Sequence, residues 1–323
     1  MRNVTLLAFG AALAVGMVPV VHAAESTYPN KPIRLVIGSA SGSGPDIVSR
    51  ALADRLYGTW NQRIVVDSRP GVAGILSAEL VLRSPADGYT WMMLTSQLMV
   101  ATEVYTNVKF DLDKSFASIS VIGSVPFVLV VNADLPAKNL RELIELAKKT
   151  PLRYGSAGAG SSEHLCGVLF NKLGGTQMLH VPYKGVAQAL TDTMGKELHL
   201  THGVVPAVMS AVQAGRVRAL GVTGEKRNAL LPDVPPISEV LPGYHNPLGW
   251  YAVLAPLGTP ESVLETANAA VRQAVKHPQF AEQLKGLGLD MTGTTRGEAD
   301  AFRAEQRKRI HDVVKMAELD AKD

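Results

Sequence analysis

Two stretches of the chain hold residues that could do chemistry together: Gly38-Ser39-Ala40-Ser41-Gly42-Ser43-Gly44-Pro45-Asp46 and Ser156-Ala157-Gly158-Ala159-Gly160-Ser161-Ser162-Glu163-His164. Each is a Gly/Ser loop between a β-rich run and a helix-length run. Glycine lets backbone N–H groups turn toward a bound group, serine adds hydroxyl donors, and a helix start supplies unpaired amides with partial positive charge. Each loop therefore reads as a receiver for an anion. Two receivers facing one another across a cleft would suit a carboxylate, or a ligand with one at each end. The plainer reading is a pair of tight turns with caps, Asp46 ahead of Ile47 and Ser161 or Ser162 ahead of the helix running to Leu173. A carboxylate at Asp46 is an odd neighbour for an anionic ligand unless it caps its helix or receives an ammonium or hydroxyl group, and both roles stay open.

Catalytic readings of the same loops fail on spacing. No Gly-Lys-Ser/Thr follows either loop, and Gly158-Ala159-Gly160 lacks the third glycine of a dinucleotide fingerprint. A GxSxG nucleophile elbow and an HExxH pair are both absent. His164 follows Ser161 by one helical turn, but no orienting acid is identifiable, so His164 reads as a helix-start residue near the cleft. His180, His199 and His202 flank apolar strands and read as structural histidines with satisfied ring nitrogens. The single cysteine, Cys166, makes no internal disulfide or Cys-rich metal site. No metal and no cofactor are expected, and the chain is not expected to be an enzyme.

The elements that must position these loops alternate between short β-rich and amphipathic runs, the pattern of α/β architecture with largely parallel sheets. Segment 33–37 predicts a strand, 47–57 a helix, 63–67 and 90–94 strands, and 73–83 a helix. The grammar restarts after Gly123: strands at 127–132, 153–156, 178–181, 198–201 and 216–222, with a helix at 140–149 ending in two lysines, as a helix C-terminus favours. The proline-punctuated stretch 228–247 connects or straps the two sets, 250–255 is a further strand, and a long helix at 297–318 ends the chain. Arg2, the apolar run from Val4 to Val21 and Val21-His22-Ala23 read as a secretory signal peptide spanning 1–23. Without Arg2 the chain carries 31 basic (32 less one) and 29 acidic residues and no basic run, which gives nucleic-acid binding no support. Export without disulfides points to a bacterial periplasm.

The order of several further motifs resembles the Bug-type receptors of tripartite tricarboxylate transporters over essentially the whole mature chain. The likeness rests on Tyr28-Pro29-Asn30-Lys31-Pro32-Ile33, Asp46-Ile47-Val48, Ser68-Arg69-Pro70-Gly71, Asp87-Gly88-Tyr89-Thr90, His180-Val181-Pro182-Tyr183-Lys184-Gly185, Ala214-Gly215-Arg216-Val217, Leu231-Pro232-Asp233-Val234-Pro235 and Ala255-Pro256-Leu257-Gly258-Thr259-Pro260. The resemblance implies a two-lobed Venus-flytrap fold, a bound organic acid and delivery to a membrane permease. The lobes are expected at 24–124 plus 248–323 and at 125–247. It implies a pocket lined by the loop before Asp46, with Ser39, Ala40, Ser41, Ser43 and Gly44, by Thr95 and Ser96, by Ser156, Gly160, Ser161 and Ser162, and by Gly203 and Val204; Asp46 and His164 join this expected site from the reading of their loops.

Departures from the family pattern are informative. A Pro-Phe-x-Pro-Gly-Gly run is replaced by Gly38 to Ser43, an Asp-Asn pair by Gly203-Val204, and an Asn after the Arg-Pro-Gly turn by Ile75. They point to an aromatic or aliphatic mono- or dicarboxylate rather than a heavily hydroxylated acid. A monomer is expected. The competing readings are a sensory receptor that presents its ligand to a membrane kinase and a secreted α/β hydrolase.

Overall fold

Ile33-Arg34-Leu35-Val36-Ile37 shows no clean polar alternation because the strand it forms is covered on both faces. The computed structural model describes residues 28–244 and 246–319; the signal segment at 1–23 lies outside the described residues. The first sheet grows through β1 (Ile33–Ile37), α1 (Gly44–Trp60), β2 (Ile64–Ser68), α2 (Ile75–Leu82), β3 (Thr90–Thr95), α3 (Ser96–Val104), α4 (Leu112–Ser115) and β4 (Phe116–Ser124). The chain then builds a second sheet through β5 (Phe127–Asn132), α5 (Leu140–Lys149), β6 (Arg153–Ser156), α6 (Ser162–Gly174), β7 (Leu179–Pro182), α7 (Val186–Met194), β8 (Leu200–Val204), α8 (Val205–Gln213) and β9 (Val217–Val222). It returns to the first with β10 (Trp250–Pro256), α9 (Glu261–Val275), α10 (Pro278–Leu284), β11 (Asp290–Met291) and α11 (Arg296–Met316).

The sheet orders are β11-β4-β10-β3-β1-β2 and β7-β6-β8-β5-β9. In the first, β1, β2, β3 and β4 share a direction; in the second, β6, β7, β8 and β9 do, so both sheets are mixed with most strands running one way. Two of the three exceptions have a topological cause: β5 and β10 each arrive from the other sheet and insert antiparallel between two strands that run the same way, while β11 adds a short antiparallel edge to β4.

The packing ties the two sheets together. One apolar cluster runs from Val36 and Met92 in the first sheet to Leu129, Tyr154 and Phe170 around the second. Helix α11 supports it by packing on α3 and β4 at one end and on α6 at the other. Two further clusters belong to single sheets, Leu52, Trp91 and Val271 beside the first and Val128, Val208 and Val217 beside the second. The 228–247 stretch does strap the molecule: Leu231 and Val234 join the third cluster, Ile237 and Leu241 the first, and the Asn228 amide donates to Gly288 O (3.0 Å).

Several expected boundaries move. The helix expected at 73–83 begins at Ile75, because Val72, Ala73 and Gly74 form a left-handed turn (φ 43°, 54° and 99°) ahead of it. Strand β4 and helices α3, α7 and α8 go undeclared by sequence pattern. Ser118 and Ser120 interrupt the apolar run of β4, yet both are buried, and Ser120 donates to Thr294 O (2.9 Å).

Candidate functional site

In an open α/β sheet, ligands bind outside the carboxyl ends of strands where the strand order reverses. β1 is followed in the chain by β2 on one side and β3 on the other; β6 is followed by β7 on one side and β8 on the other. The reversal points are therefore the loops after β1 and β3 in the first sheet and after β6 and β8 in the second. These are the segments that hold Gly38 to Asp46, Thr95-Ser96, Ser156 to His164 and Gly203-Val204. Among the described residues no hydrogen bond joins the first of these loops to the third, so each is placed by its own sheet.

The loop after β1 is held from below. A Cβ on Gly38 would lie 2.5 Å from Gly74 Cα and 2.8 Å from Ser77 Oγ, so the loop lies directly on the left-handed turn at 72–74. Val72 is a β-branched residue at positive φ, a costly conformation that marks this turn. Ser41 Oγ lies 3.3 Å from Ser68 Oγ. Asp46 is not the helix cap; that position is Ser43, whose hydroxyl is buried without a partner. Asp46 sits in the first turn of α1, 3 % exposed, where it accepts the Gly42 N–H (2.9 Å) and pairs with Arg50 (2.9 Å). The hydrogen bond from Arg50 holds its carboxyl below the usual carboxylate range. Its charge is spent under the loop. The backbone N–H groups of Ser39, Ala40, Ser41 and Gly44 are left without a hydrogen-bond partner among the described residues.

The loop after β6 is organised differently, because its donors already have acceptors. Gly158 N–H donates to Ser156 Oγ (3.1 Å), Gly160 N–H to His164 Nδ1 (3.1 Å), Ser161 N–H to Gly158 O (3.1 Å) and His164 N–H to Ser161 Oγ (3.3 Å). Ser161 is thus the cap of α6, and Ser162 opens the helix. Ser156 and His164 lie beneath the loop surface at 0 % and 7 % exposure. The His164 ring stacks on His180 at 3.9 Å between centroids, and His180 Nε2 lies 2.6 Å from Ser156 Oγ. Burial pushes His164 down to about 4 and lowers His180, so both rings are neutral supports near neutral pH. Because His164 Nδ1 accepts from Gly160, it is not poised as a base on Ser161.

Glu163 was not among the expected site residues, yet it is the only acid in this loop. Burial raises its pKa, opposed by its own N–H, the Ser161 hydroxyl and the Ala157 N–H, all drawn to its carboxylate. The signal was present in the sequence as an acid two places into a helix that follows a Gly/Ser loop.

The remaining expected residues divide between support and surface. Thr95 Oγ1 accepts Leu98 N–H and caps α3, and Ser96, 4 % exposed, accepts Gly249 N–H (2.9 Å) on the segment that returns from the second sheet. Gly203 is buried, and a Cβ there would meet Val208 Cγ1 at 2.8 Å. Val204 is half-buried and packs against the first and second clusters alike. Sequence reasoning missed Tyr251, which pairs with Thr95 at the end of β3. Its hydroxyl lies 2.7 Å from where a Cβ on Gly44 would sit and has no hydrogen-bond partner among the described residues. Burial pushes the phenol up to about 12, so it remains a donor. His202 also departs from expectation: it is fully buried and neither ring nitrogen has a partner, whereas His180 meets Ser156 and His199 Nδ1 accepts Arg153 N–H (2.9 Å). Among the described residues no cluster of three or more His, Cys, Asp or Glu could hold a metal ion.

The architecture has counterparts in known proteins. The profile described as "Tripartite tricarboxylate transporter family receptor" matches residues 48–319. A curated relative from Pseudomonas sp. (strain P51), the UPF0065 protein in the tcbD-tcbE intergenic region, is 35 % identical over 286 residues, 87 % of this chain and 85 % of the relative. The solved structure of periplasmic binding protein BugD is similar with a TM-score of 0.74 at 28 % identity, covering 91 % of this chain and 100 % of that one. The structure of R. palustris Rpa4515 with adipate has a TM-score of 0.76 at 32 % identity, covering 90 % of this chain and 98 % of that one.

Proposed function

The chain belongs to the tripartite tricarboxylate transporter receptor family, whose members are solute-binding receptors of the periplasmic-binding-protein fold, and we propose that it captures a small organic acid, aromatic or aliphatic, and delivers it to a membrane permease. Residues 24–124 with 248–323 form one lobe and 125–247 the other. The acid enters between them, and closure presents the loaded form to the permease. This is a population shift between open and closed lobes and needs no covalent step, so the protein acts as a receptor and not as an enzyme.

The observation that carries this reading is the set of unpartnered donors at the first sheet's reversal point. The N–H groups of Ser39, Ala40, Ser41 and Gly44 point to an acceptor from outside the chain, and the Ser43 and Tyr251 hydroxyls stand close by in sequence or space. Orphan amides at a helix start favour a carboxylate. Rpa4515, which shares this fold at 32 % identity, has been solved with adipate.

The test is isothermal titration of ligand-free protein against a panel of aliphatic and aromatic mono- and dicarboxylates, with thermal unfolding in parallel. A ligand that binds only the folded state must raise the midpoint. One or a few acids should bind stoichiometrically without product. A folded protein that gives neither heat nor a midpoint shift with any acid refutes the proposal.

A further inference from the structure

A cavity of about 540 Å³ lies where the chain crosses between the two sheets, within the usual size of small-ligand sites, about 300–1,000 Å³. Both linking segments line it, through Val125 and Leu248, as do Ser124 at the end of β4, Met291 in β11 and Thr223 just past β9. The strand orders put it across the two returning strands from the acid cleft. β10 separates β4 and β11 from β3 and β1, and β5 separates β9 from β8 and β6. The cavity shares no residue with the acid cleft, and an occupant would touch both sheets.

The buried polar groups of its wall are committed except at one point. Trp250 and Phe302 meet edge to face (5.3 Å between centroids, 87°), and the indole N–H is given to Pro247 O (2.8 Å). Thr223 Oγ1 accepts Phe127 N–H (2.9 Å) and the Asn246 amide (3.1 Å). Gln306, one turn of α11 beyond Phe302, is 5 % exposed, and its carboxamide has no hydrogen-bond partner among the described residues. Neither its Oε1 nor its Nε2 is sealed off, and the opening they meet is this cavity. A buried carboxamide left unpaired is costly, and this one presents a donor and an acceptor side by side. At the rim Lys226 and Arg309 stand against Glu225 and Asp290, and Arg309 already pairs with Glu305 (2.5 Å). No cationic excess remains to hold an acid.

We propose that this cavity is a second ligand site, separate from the acid cleft, for an uncharged carboxamide with an apolar body. The head of the ligand exchanges two hydrogen bonds with the Gln306 amide, and its body lies against Phe302 and Trp250. A carboxylate head would lose its water here without gaining an unmatched cation.

The experiment looks for direct contact by nuclear magnetic resonance. Wild type is titrated with benzamide and hexanamide and, separately, with benzoate and hexanoate, which keep the same skeletons and change only the head. The Gln306 side-chain amide signal is identified by its loss in Gln306→Leu. At least one amide should show nuclear Overhauser effects to the Gln306 amide protons and to the Phe302 ring. The matched acid should show none there, wherever else on the protein it binds. Gln306→Leu removes an unpaired polar group, so it should unfold at no lower a temperature than wild type. It should keep the contact with Phe302 but bind the amide about 3- to 10-fold more weakly, the worth of one hydrogen bond. Amides that make neither contact, or acids that make them as readily, overturn the second site. An unchanged amide affinity in the folded variant overturns the part given to Gln306. Each of these results leaves the organic-acid receptor standing, because that reading is judged by acids at the cleft and not by amides.

Discussion

Replacing His202 with phenylalanine should remove an acid sensitivity built into the second sheet. The ring lies on β8 opposite Leu129, fully buried, and neither nitrogen meets a partner among the described residues. Burial therefore pushes its pKa from 6.5 down to about 3. Between these two values the unfolded chain binds a proton at this site and the folded chain does not, so stability rises with pH across that window. The contribution is complete above about pH 6.5 and is lost as the pH falls toward 3. At about pH 5 the loss is 1.5 pH units times 1.36 kcal/mol, or about 2 kcal/mol. His164, held down to about 4 by burial, adds a loss of the same sign. Wild type alone therefore cannot isolate His202, but the difference between wild type and variant can. Urea unfolding followed by circular dichroism at about pH 7.5 and about pH 5 gives both stabilities. The variant should lose about 2 kcal/mol less than wild type over that interval. At the higher pH it should be no less stable, because phenylalanine fills a similar volume and removes an unsatisfied ring N–H worth about 1–3 kcal/mol. Equal losses in the two proteins would refute the reasoning, since they would mean that His202 reaches solvent or a partner and titrates normally.

Three other substitutions test different joints of the molecule. Tyr251→Phe removes a hydroxyl that has no hydrogen-bond partner among the described residues, so unliganded stability should hold while organic-acid affinity, read by calorimetry, falls about 3- to 10-fold, the worth of one hydrogen bond. Arg303, 3 % exposed, donates to Ser118 Oγ, Leu112 O and Asp113, and Arg303→Met should cost about 2–4 kcal/mol in urea unfolding by stranding those acceptors. Gly249 has φ 82°, and a Cβ there would lie 2.2 Å from Val125 O on the other segment that links the sheets. Gly249→Ala should therefore lower stability by more than about 1 kcal/mol and weaken ligand-driven closure, measured by small-angle scattering with and without ligand.

The legible part of this fold was the part set by local pattern. Apolar runs announced β1, β3 and β5, broken in β1 only by Arg34, because those strands are largely buried on both faces. The terminal lysines announced α5, whereas the caps Asn139 and the Thr295/Glu298 box, which fix where α5 and α11 begin, went unread. Strand β4 was illegible because its serines are satisfied by partners far along the chain, Ser118 by Arg303 and Ser120 by Thr294. The mixed direction of β5 and β10 was illegible for the same reason: which neighbours a returning strand finds depends on the other sheet. The two Gly/Ser loops do lie between a strand and a helix, after β1 and after β6, but the sequence could not show that Ser96, Ser156 and His164 hydrogen-bond to backbone or that Tyr251 comes beside Gly44, because those partners meet only on folding.

A Gly/Ser loop before a helix is a statement about supply, and chemistry depends on what remains after the loop has served itself. The acid in the first loop, Asp46, stands in the first helical turn with Arg50 one turn further on, so its carboxylate is drawn down against the helix and engages a single loop amide, that of Gly42. The second loop serves itself: Ser156 Oγ, His164 Nδ1, Gly158 O and Ser161 Oγ take the N–H groups of Gly158, Gly160, Ser161 and His164. Local acceptors, two serine hydroxyls and one imidazole among them, thus decide whether a loop of the same composition has amides left for a ligand, which is why two receivers that look equivalent in the sequence differ in the donors they can offer.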